Sequence, residues 1–409
     1  MVLHIIDMRY PDPFGHEFMY TNAVYDAAVE AGISTVIYGS DISRDNNGRQ
    51  IVPLFREWNG IIRKNHYAVP KLLIAIYENH FVFKKLNSIM INDIISDNII
   101  LFHSPIYRHF PSIYFWYRKL KKKPKLVLIL RYSHLMSKDN FKWLKKEFYL
   151  NIVKQWMTKK LYDNFFENGV VLGTDSDILA QEFNDAWKIQ VIPFPIPIPN
   201  QIFPSQRLIL SSGSSEFQRS GKKEVLTLIS LGPARDDKGS YLLNEAIIGI
   251  LDQWKGGNLQ FVIQTKTPEK GAEKTKRTIG LLSEIGPCVQ TFDRSLSQEE
   301  YWKIFHQADI VLLPYDTEEY RARTSGIFAE AMALGKHAVI PRGTWMENEV
   351  KGMEDTVSLF EGGSSLSLIE AVLKALAFVS GSDQASRSHS RWREKHNAKS
   401  FIHILLNLN

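Results

Sequence analysis

The sequence holds one cysteine, Cys288, in 409 residues. A single thiol excludes an internal disulfide framework, fits a reducing compartment and leaves no cysteine-based metal site. No run reaches the roughly 20 apolar residues that a bilayer-crossing helix needs. No repeat of fixed short period recurs. The N-terminal MVLHIID carries no basic leader and reads as a first strand, so a signal peptide is not expected and a cytoplasmic location is. What is present is ordinary: 44% hydrophobic and 23% charged residues, the composition of a soluble globular chain of two domains. A formal net charge of +6 points mildly toward anionic partners, whether nucleotides, nucleic acid or lipid headgroups.

Short apolar runs alternate with longer helical patterns, the pattern of α/β proteins with parallel sheets and helices on both faces. In the first half the clearest strands are VLHIID (2–7), STVIYGS (34–40), NIILFHS (98–104), KLVLILRY (125–132) and GVVLGTD (169–175). A proline-rich stretch (192–204) and a Ser-rich polar one (211–224) then interrupt the alternation, and neither can continue a helix or a central strand. The expected domains are therefore 1–200 and 201–385. The second alternation runs through EVLTLISLG (224–232), NLQFVIQT (258–265) and ADIVLLPY (308–315) and ends near HAVIPRG (337–343). Two such halves imply a cleft between them, with ligands outside the carboxyl ends of the strands.

The most informative stretch is PYDTEEYRARTSGIFAEAMALGK (314–336), a strand exit, a polar loop, a Ser-Gly pair and an amphipathic helix closed by glycine. Ser325 and Gly326 fall at the helix N-terminus, where unpaired N–H groups and the positive end of the macrodipole favour a phosphate. A plain helix start with a capping serine fits the same residues. Glu330, one turn further in, would repel a phosphate, so a hydroxyl such as a ribose is its expected partner. Upstream, EVLTLISLG runs into PARDDKGSYLL, which puts Arg235 and Lys238 just past a strand end. A guanidinium fork and a compact ammonium can hold a diphosphate and stabilise charge building on it. The bland alternative is a surface turn whose charges pair locally with Asp236 and Asp237. Both segments follow strands of one sheet and are expected to open on the same edge.

Two motifs, GPARDDKGSYLLNEAI and PYDTEEYRARTSGIFAEAMALGKHAVIPRGT, together with FDRSLSQEEYWKIFHQADIVLLPYD (292–316), resemble the nucleotide-sugar domain of retaining glycosyltransferases of the GT-B fold, family 4-like. The likeness is weaker in the first half, resting on FGHEFMYTNAVYDAAVEAG (14–32), the strand ends near His103 and Arg131, and VIPFPI (191–196). It implies two Rossmann-like parallel-sheet domains facing across a cleft, and a C-terminal helix (386–409) packing back on the first. It implies transfer of a sugar from a nucleotide-diphosphate donor to a glycan or lipid-linked acceptor hydroxyl, with retention and without a metal or other cofactor. Position by position it assigns the diphosphate to Arg235 and Lys238, its backbone contacts to Ser325 and Gly326, and the ribose hydroxyls to Glu330. Family members often carry two glutamates eight positions apart. Ala322 stands where the first would be, and Arg323 adds a cation beside it.

In the first half, Gly15 opens a helix after the first strand and would let donor or acceptor approach the backbone. His103 ends NIILFHS, where the resemblance puts an acceptor-contacting or catalytic histidine, although a buried or capping histidine fits equally. Arg131, Tyr132, His134, Thr174, Asp175 and Ser176 share that strand-end position and are acceptor-side candidates. Separately, residues 107–125 set Tyr114, Phe115, Trp116 and Tyr117 beside Arg118, Lys119, Lys121, Lys122, Lys123 and Lys125. On a surface helix this attracts anionic lipid and implies peripheral attachment to the inner face of a membrane. A solvated basic face is the alternative, and nucleic acid fits less well because no recognised module accompanies the charge. A nucleotide-sugar epimerase, a phosphorylase and a catalytically silent sugar-nucleotide-binding scaffold remain the alternative functions.

Overall fold

The computed structural model describes residues 1–8, 10, 16–40, 48–55, 71–89, 97–103, 105, 109–131, 160, 163–165, 169–199, 225–381 and 386–408. Gly15, His134 and the Ser-rich stretch 211–224 lie outside the described residues. The chain divides into two units: Met1–Pro197 with Ala398–Asn409, and Ile198–Asn397.

The first unit is built on β1 (Val2–Ile6), β2 (Ser34–Tyr38), β3 (Ile51–Val52), β4 (Ile99–His103), β5 (Lys125–Leu130), β6 (Val171–Thr174) and β7 (Val191–Pro193), with α1 (His16–Glu30), α2 (Lys71–Ser88), α3 (Phe110–Lys119) and α4 (Asp177–Trp187). Its seven strands are parallel and ordered β3-β2-β1-β4-β5-β6-β7. All of β4 and nearly all of β5 is buried without alternation, as strands covered on both faces must be. The order reverses between β1 and β4. That reversal leaves a crevice at the carboxyl ends where neighbouring crossovers diverge to opposite faces.

In the second unit lie β8 (Val225–Ser230), β9 (Asn258–Gln264), β10 (Val289–Phe292), β11 (Ile310–Leu312), β12 (His337–Pro341) and β13 (Val357–Phe360), with α5 (Leu243–Gln253), α6 (Gln298–Gln307), α7 (Gly326–Ala333), α8 (Trp345–Glu349), α9 (Ser365–Gly381) and α10 (Ser386–Lys395). The order β10-β9-β8-β11-β12-β13 repeats the pattern of the first sheet, with the switch between β8 and β11. Sequence patterning ends the sheet at β12. The structure adds β13, four residues of which two are half-buried, too short for a run of apolar residues to reveal it.

At the C-terminus the expected single helix is two. α10 packs on α7 through Trp392, whose ring meets Phe328 edge-on at 5.5 Å and stacks on His396 at 4.1 Å. The chain breaks at His396–Asn397, where the Asn397 amide donates to the carbonyls of Arg393 and Glu394. The following helix, α11 (Ala398–Leu406), belongs to the first unit. There Phe401 lies 4.9 Å from Phe194, and Ala398, Ile402 and Leu405 join Leu3, Val24 and Ile129 in one core.

Candidate functional site

The carboxyl ends of β8 and β11 carry the cation cluster of the second unit. After β8 the chain passes Gly232, and Arg235 leads into a 3₁₀ turn, Asp236–Lys238. Gly239 follows at φ +60°, and a Cβ there would meet the Pro314 carbonyl oxygen at 1.7 Å, so only glycine lets this turn touch the loop leaving β11. The Asp316 N–H donates to the Asp237 carbonyl at 3.0 Å across the same contact. The two adjacent aspartates then diverge. Asp236 accepts from the N–H groups of Lys274 and Thr275 and from the Thr275 hydroxyl, bonds that outweigh its burial and lower its pKa. Asp237 bridges two guanidinium groups, Arg235 Nε at 3.0 Å and Arg323 Nη1 at 3.3 Å.

Lys238 feels the charge of all three. Its Nζ is packed over Gly232, where an added Cβ would come within 2.5 Å, and lies 5.6 Å from the centre of the Tyr315 ring. Burial, then the neighbouring Arg235, bring the ammonium down to about 7; Arg323 acts in the same direction, while Asp237 and Glu330 oppose it. Tyr315 and Tyr320 pair at 4.3 Å, and the Arg323 guanidinium stands 5.0 Å from the Tyr320 ring. Burial raises both phenols' pKa values, so they serve as neutral walls of the cluster.

Ser325 caps α7, its hydroxyl accepting from the Phe328 N–H at 3.2 Å. The expected amphipathic helix is instead buried on all sides, Ile327 through Ala333, because the sheet covers one face and α10 the other. Glu330 is consequently 2% exposed, and it accepts a hydrogen bond from the Tyr301 hydroxyl of α6. Ala322 is buried beside the arginine loop. The structure thus brings Arg235, Lys238, Arg323, Ser325, Gly326 and Glu330 to one sheet edge. Sequence reading passed over Asp237 as a locally paired charge, and over Tyr301, Tyr315 and Tyr320. Tyrosine next to a strand end was the available signal for Tyr315.

In the first unit, four neighbouring strands end in a single row of polar groups. His103 Nδ1 lies 2.6 Å from Thr21 Oγ1, and the Thr21 hydroxyl donates to Asp7 Oδ2 at 2.8 Å. On its other side His103 Nε2 lies 2.7 Å from Arg131 Nη2, and Arg131 Nη1 pairs with Asp175. Arginine only donates and a carboxylate only accepts, so every link has one polarity: Nε2 accepts, Nδ1–H donates to threonine, and the imidazole is neutral. Burial, then the Arg131 charge, hold its pKa well below the usual histidine value. His103, Arg131 and Asp175 are therefore brought together, but both nitrogens of the histidine are engaged. Asp7 and Thr21 were missed, since a threonine in the middle of a helix gives no sign of facing a strand end.

The basic and aromatic segment differs from expectation in its anchors. Trp116 and Tyr117 are core residues, and Tyr114 is half-buried. Phe115 alone of the four is exposed, at 55%; Arg118 and Lys119 are exposed in the last turn of α3, and exposed Lys121 and Lys122 follow beyond the helix end. Lys123 and Lys125 donate to the carbonyls of Tyr117 and Leu408.

No protein-family model and no curated protein matches the sequence. Solved structures do match in fold. Sucrose-phosphate synthase from Thermosynechococcus elongatus superposes with a TM-score of 0.65 at 13% identity over 98% of this chain and 96% of that one. The structure described as trehalose-6-phosphate from E. coli bound with UDP-2-fluoro glucose gives 0.66 at 12% identity over 100% of both. A glycosyltransferase from Rickettsia africae ESF-5 gives 0.62 at 12% over 99% and 96%. The α/β class and the pair of Rossmann-like units of the GT-B fold are those of this chain.

Proposed function

We propose that this chain is a glycosyltransferase that moves a sugar from a nucleotide-diphosphate sugar to an acceptor hydroxyl. The observation that carries the reading is the convergence of Arg235, Lys238 and Arg323 on one point at the switch between β8 and β11, beside the capped start of α7. Three side-chain cations and a helix N-terminus suit a diphosphate, whose charge grows as its bond to the anomeric carbon breaks. The acceptor oxygen forms the new bond, and its proton leaves with the departing diphosphate. On this reading the charge is met by side chains and backbone, without a metal, and Glu330 takes the ribose hydroxyls. The whole-length match to a structure bound with UDP-2-fluoro glucose supports a nucleotide sugar as donor. Retention rests on the family resemblance; Gly15 is read as a nucleotide-sugar contact, and Arg131, His134 and Asp175 as acceptor-side candidates from their place at strand ends. His103 fits there as a fixed polar group; acting as acid or base would require breaking one of its two bonds.

Incubation with a panel of nucleotide sugars tests the proposal. Thermal stabilisation by at least one nucleoside diphosphate is expected, with slow donor hydrolysis that Arg235→Ala and Lys238→Ala abolish. Stabilisation by none sinks the donor site; binding without hydrolysis or transfer would favour the scaffold alternative, for which Ala322 speaks.

We further propose that the α3 face docks on an anionic membrane, which suits a lipid-linked acceptor in glycan or polysaccharide biosynthesis and a place on the inner leaflet. Exposed Phe115 with Arg118, Lys119, Lys121 and Lys122 supports this, and α3 contains no acidic residue. Each such cation contributes about 1 kcal/mol near an anionic surface. Vesicles with about 30% anionic lipid should sediment the protein while neutral ones do not. Equal sedimentation of R118E/K122E would refute it.

A further inference from the structure

Asp236 and Asp237 are neighbours with different partners. Asp236 turns away and ties the loop at Lys274 and Thr275. Asp237 turns inward, and its carboxylate forms an ion pair with both arginines of the cluster, one oxygen each, with a hydrogen bond from Arg323 and a charge contact to Arg235 Nε. Its backbone carbonyl is held by Asp316, so the carboxylate sits where the β8 and β11 loops meet. A carboxylate and a phosphate ask the same thing of a guanidinium: two acceptor oxygens in the plane of its donors. The Arg235 and Arg323 side chains are 30% and 28% exposed, within reach of an incoming anion, and the Asp237 side chain is 23% exposed.

We infer that Asp237 competes with the diphosphate for Arg235 and Arg323, holding the affinity for the nucleoside diphosphate product below what the cations alone would give. The inference rests on the donor-site reading above. Binding exchanges one set of arginine partners for another, and release reverses the exchange. The leaving group of the reaction is also the most highly charged ligand the cluster meets. Without an internal competitor, three cations and a helix N-terminus would retain it and slow each turnover. With one, the arginines are never left unpaired as the product departs, because Asp237 stands within 3.3 Å of both. The carboxylate also supports the charge on buried Lys238, which the same two arginines oppose.

Calorimetric titration of the full chain with pyrophosphate and with a panel of nucleoside diphosphates, at about pH 5.5 so that Lys238 stays charged in the variant as well, tests this. D237N should bind both about tenfold more tightly than the unaltered protein. E318Q, which removes the same charge from an exposed position in the neighbouring loop after β11, should bind as the unaltered protein does. With a donor and acceptor in hand, D237N should lower KM and kcat together and show stronger product inhibition. Equal or weaker binding by D237N overturns the inference, since a residue that merely positioned the arginines would weaken binding when lost. Should D237N fail to fold, D237S makes the same comparison. Tighter pyrophosphate binding by D237N with no nucleotide bound by either protein would keep the competition between Asp237 and an anion but remove the donor reading, and with it the nucleotide as the ligand competed for. Equal nucleotide binding by both would do the reverse.

Discussion

Arg131 Nη2 lies 2.7 Å from Nε2 of His103, and the arginine can only donate. The imidazole is thereby fixed as the neutral tautomer with its proton on Nδ1, facing Thr21. Histidine at the end of β4 is a reporter of the first unit's integrity as much as a candidate for chemistry.

His103 is neutral when folded and has the ordinary value when unfolded, so the unfolded chain binds the extra proton. Its stabilising effect is complete above about pH 6.5 and declines as pH falls below that value toward the lower folded value, with a slope of up to about 1.4 kcal/mol per pH unit. Chemical denaturation from pH 7.5 to 5 should show this decline, and His103→Gln should reduce it. Nitrogen NMR should find the ring neutral at pH 6; a protonated ring there would refute the assignment.

Lys238, at about 7, should make anion binding fall as pH rises from 6 to 8. The protonated form is the one that binds. Nucleoside diphosphate affinity should drop about three- to tenfold across that range, beyond the ligand's own titration. Lys238→Met, expected to bind weakly throughout, gives that background, and parallel pH profiles for the two proteins would contradict the role.

Two glycines should separate folding from binding. A side chain at Gly239 meets the Pro314 carbonyl backbone at 1.7 Å and needs φ +60°, so Gly239→Ala should lose at least about 2 kcal/mol of stability. At Gly232 the obstacle is the mobile end of Lys238, 2.5 Å away, although φ +87° is also unfavourable. Gly232→Ala should therefore lose less stability and more diphosphate affinity, measured by melting and calorimetry on the same samples.

Phe401 is a core residue of the first unit contributed from the far end of the chain, 1% exposed and 4.9 Å from Phe194. Phe401→Ala should cost about 3–5 kcal/mol. If denaturation of the variant instead lies within about 1 kcal/mol of the parent, α11 is not integral to that core.

Most of the strands, their parallel pairing and the positions of Arg235, Lys238, Ser325, Gly326 and Glu330 at strand and helix ends were legible because they depend on local patterning; strand order was not, nor was the two-residue β3. Continuous apolar runs mark buried strands, and chain order constrains which loops share an edge. β13 escaped because four residues carry too little pattern, and the helicity of 386–409 concealed a break because helical spacing says nothing about which core each half enters.

By itself, then, the sequence determined the α/β class, the two alternations and the residue types waiting at each strand end. Partnership was decided by the tertiary structure alone. Whether Asp237 faces Arg235 and Arg323 while Asp236 turns to Thr275, whether Glu330 meets Tyr301, and whether Thr21 polarises His103 all depend on side chains 29 to 86 positions apart or on the direction of a single turn. Hydrogen bonds and ion pairs act over about 3 Å, and only the folded sheets bring those distances about.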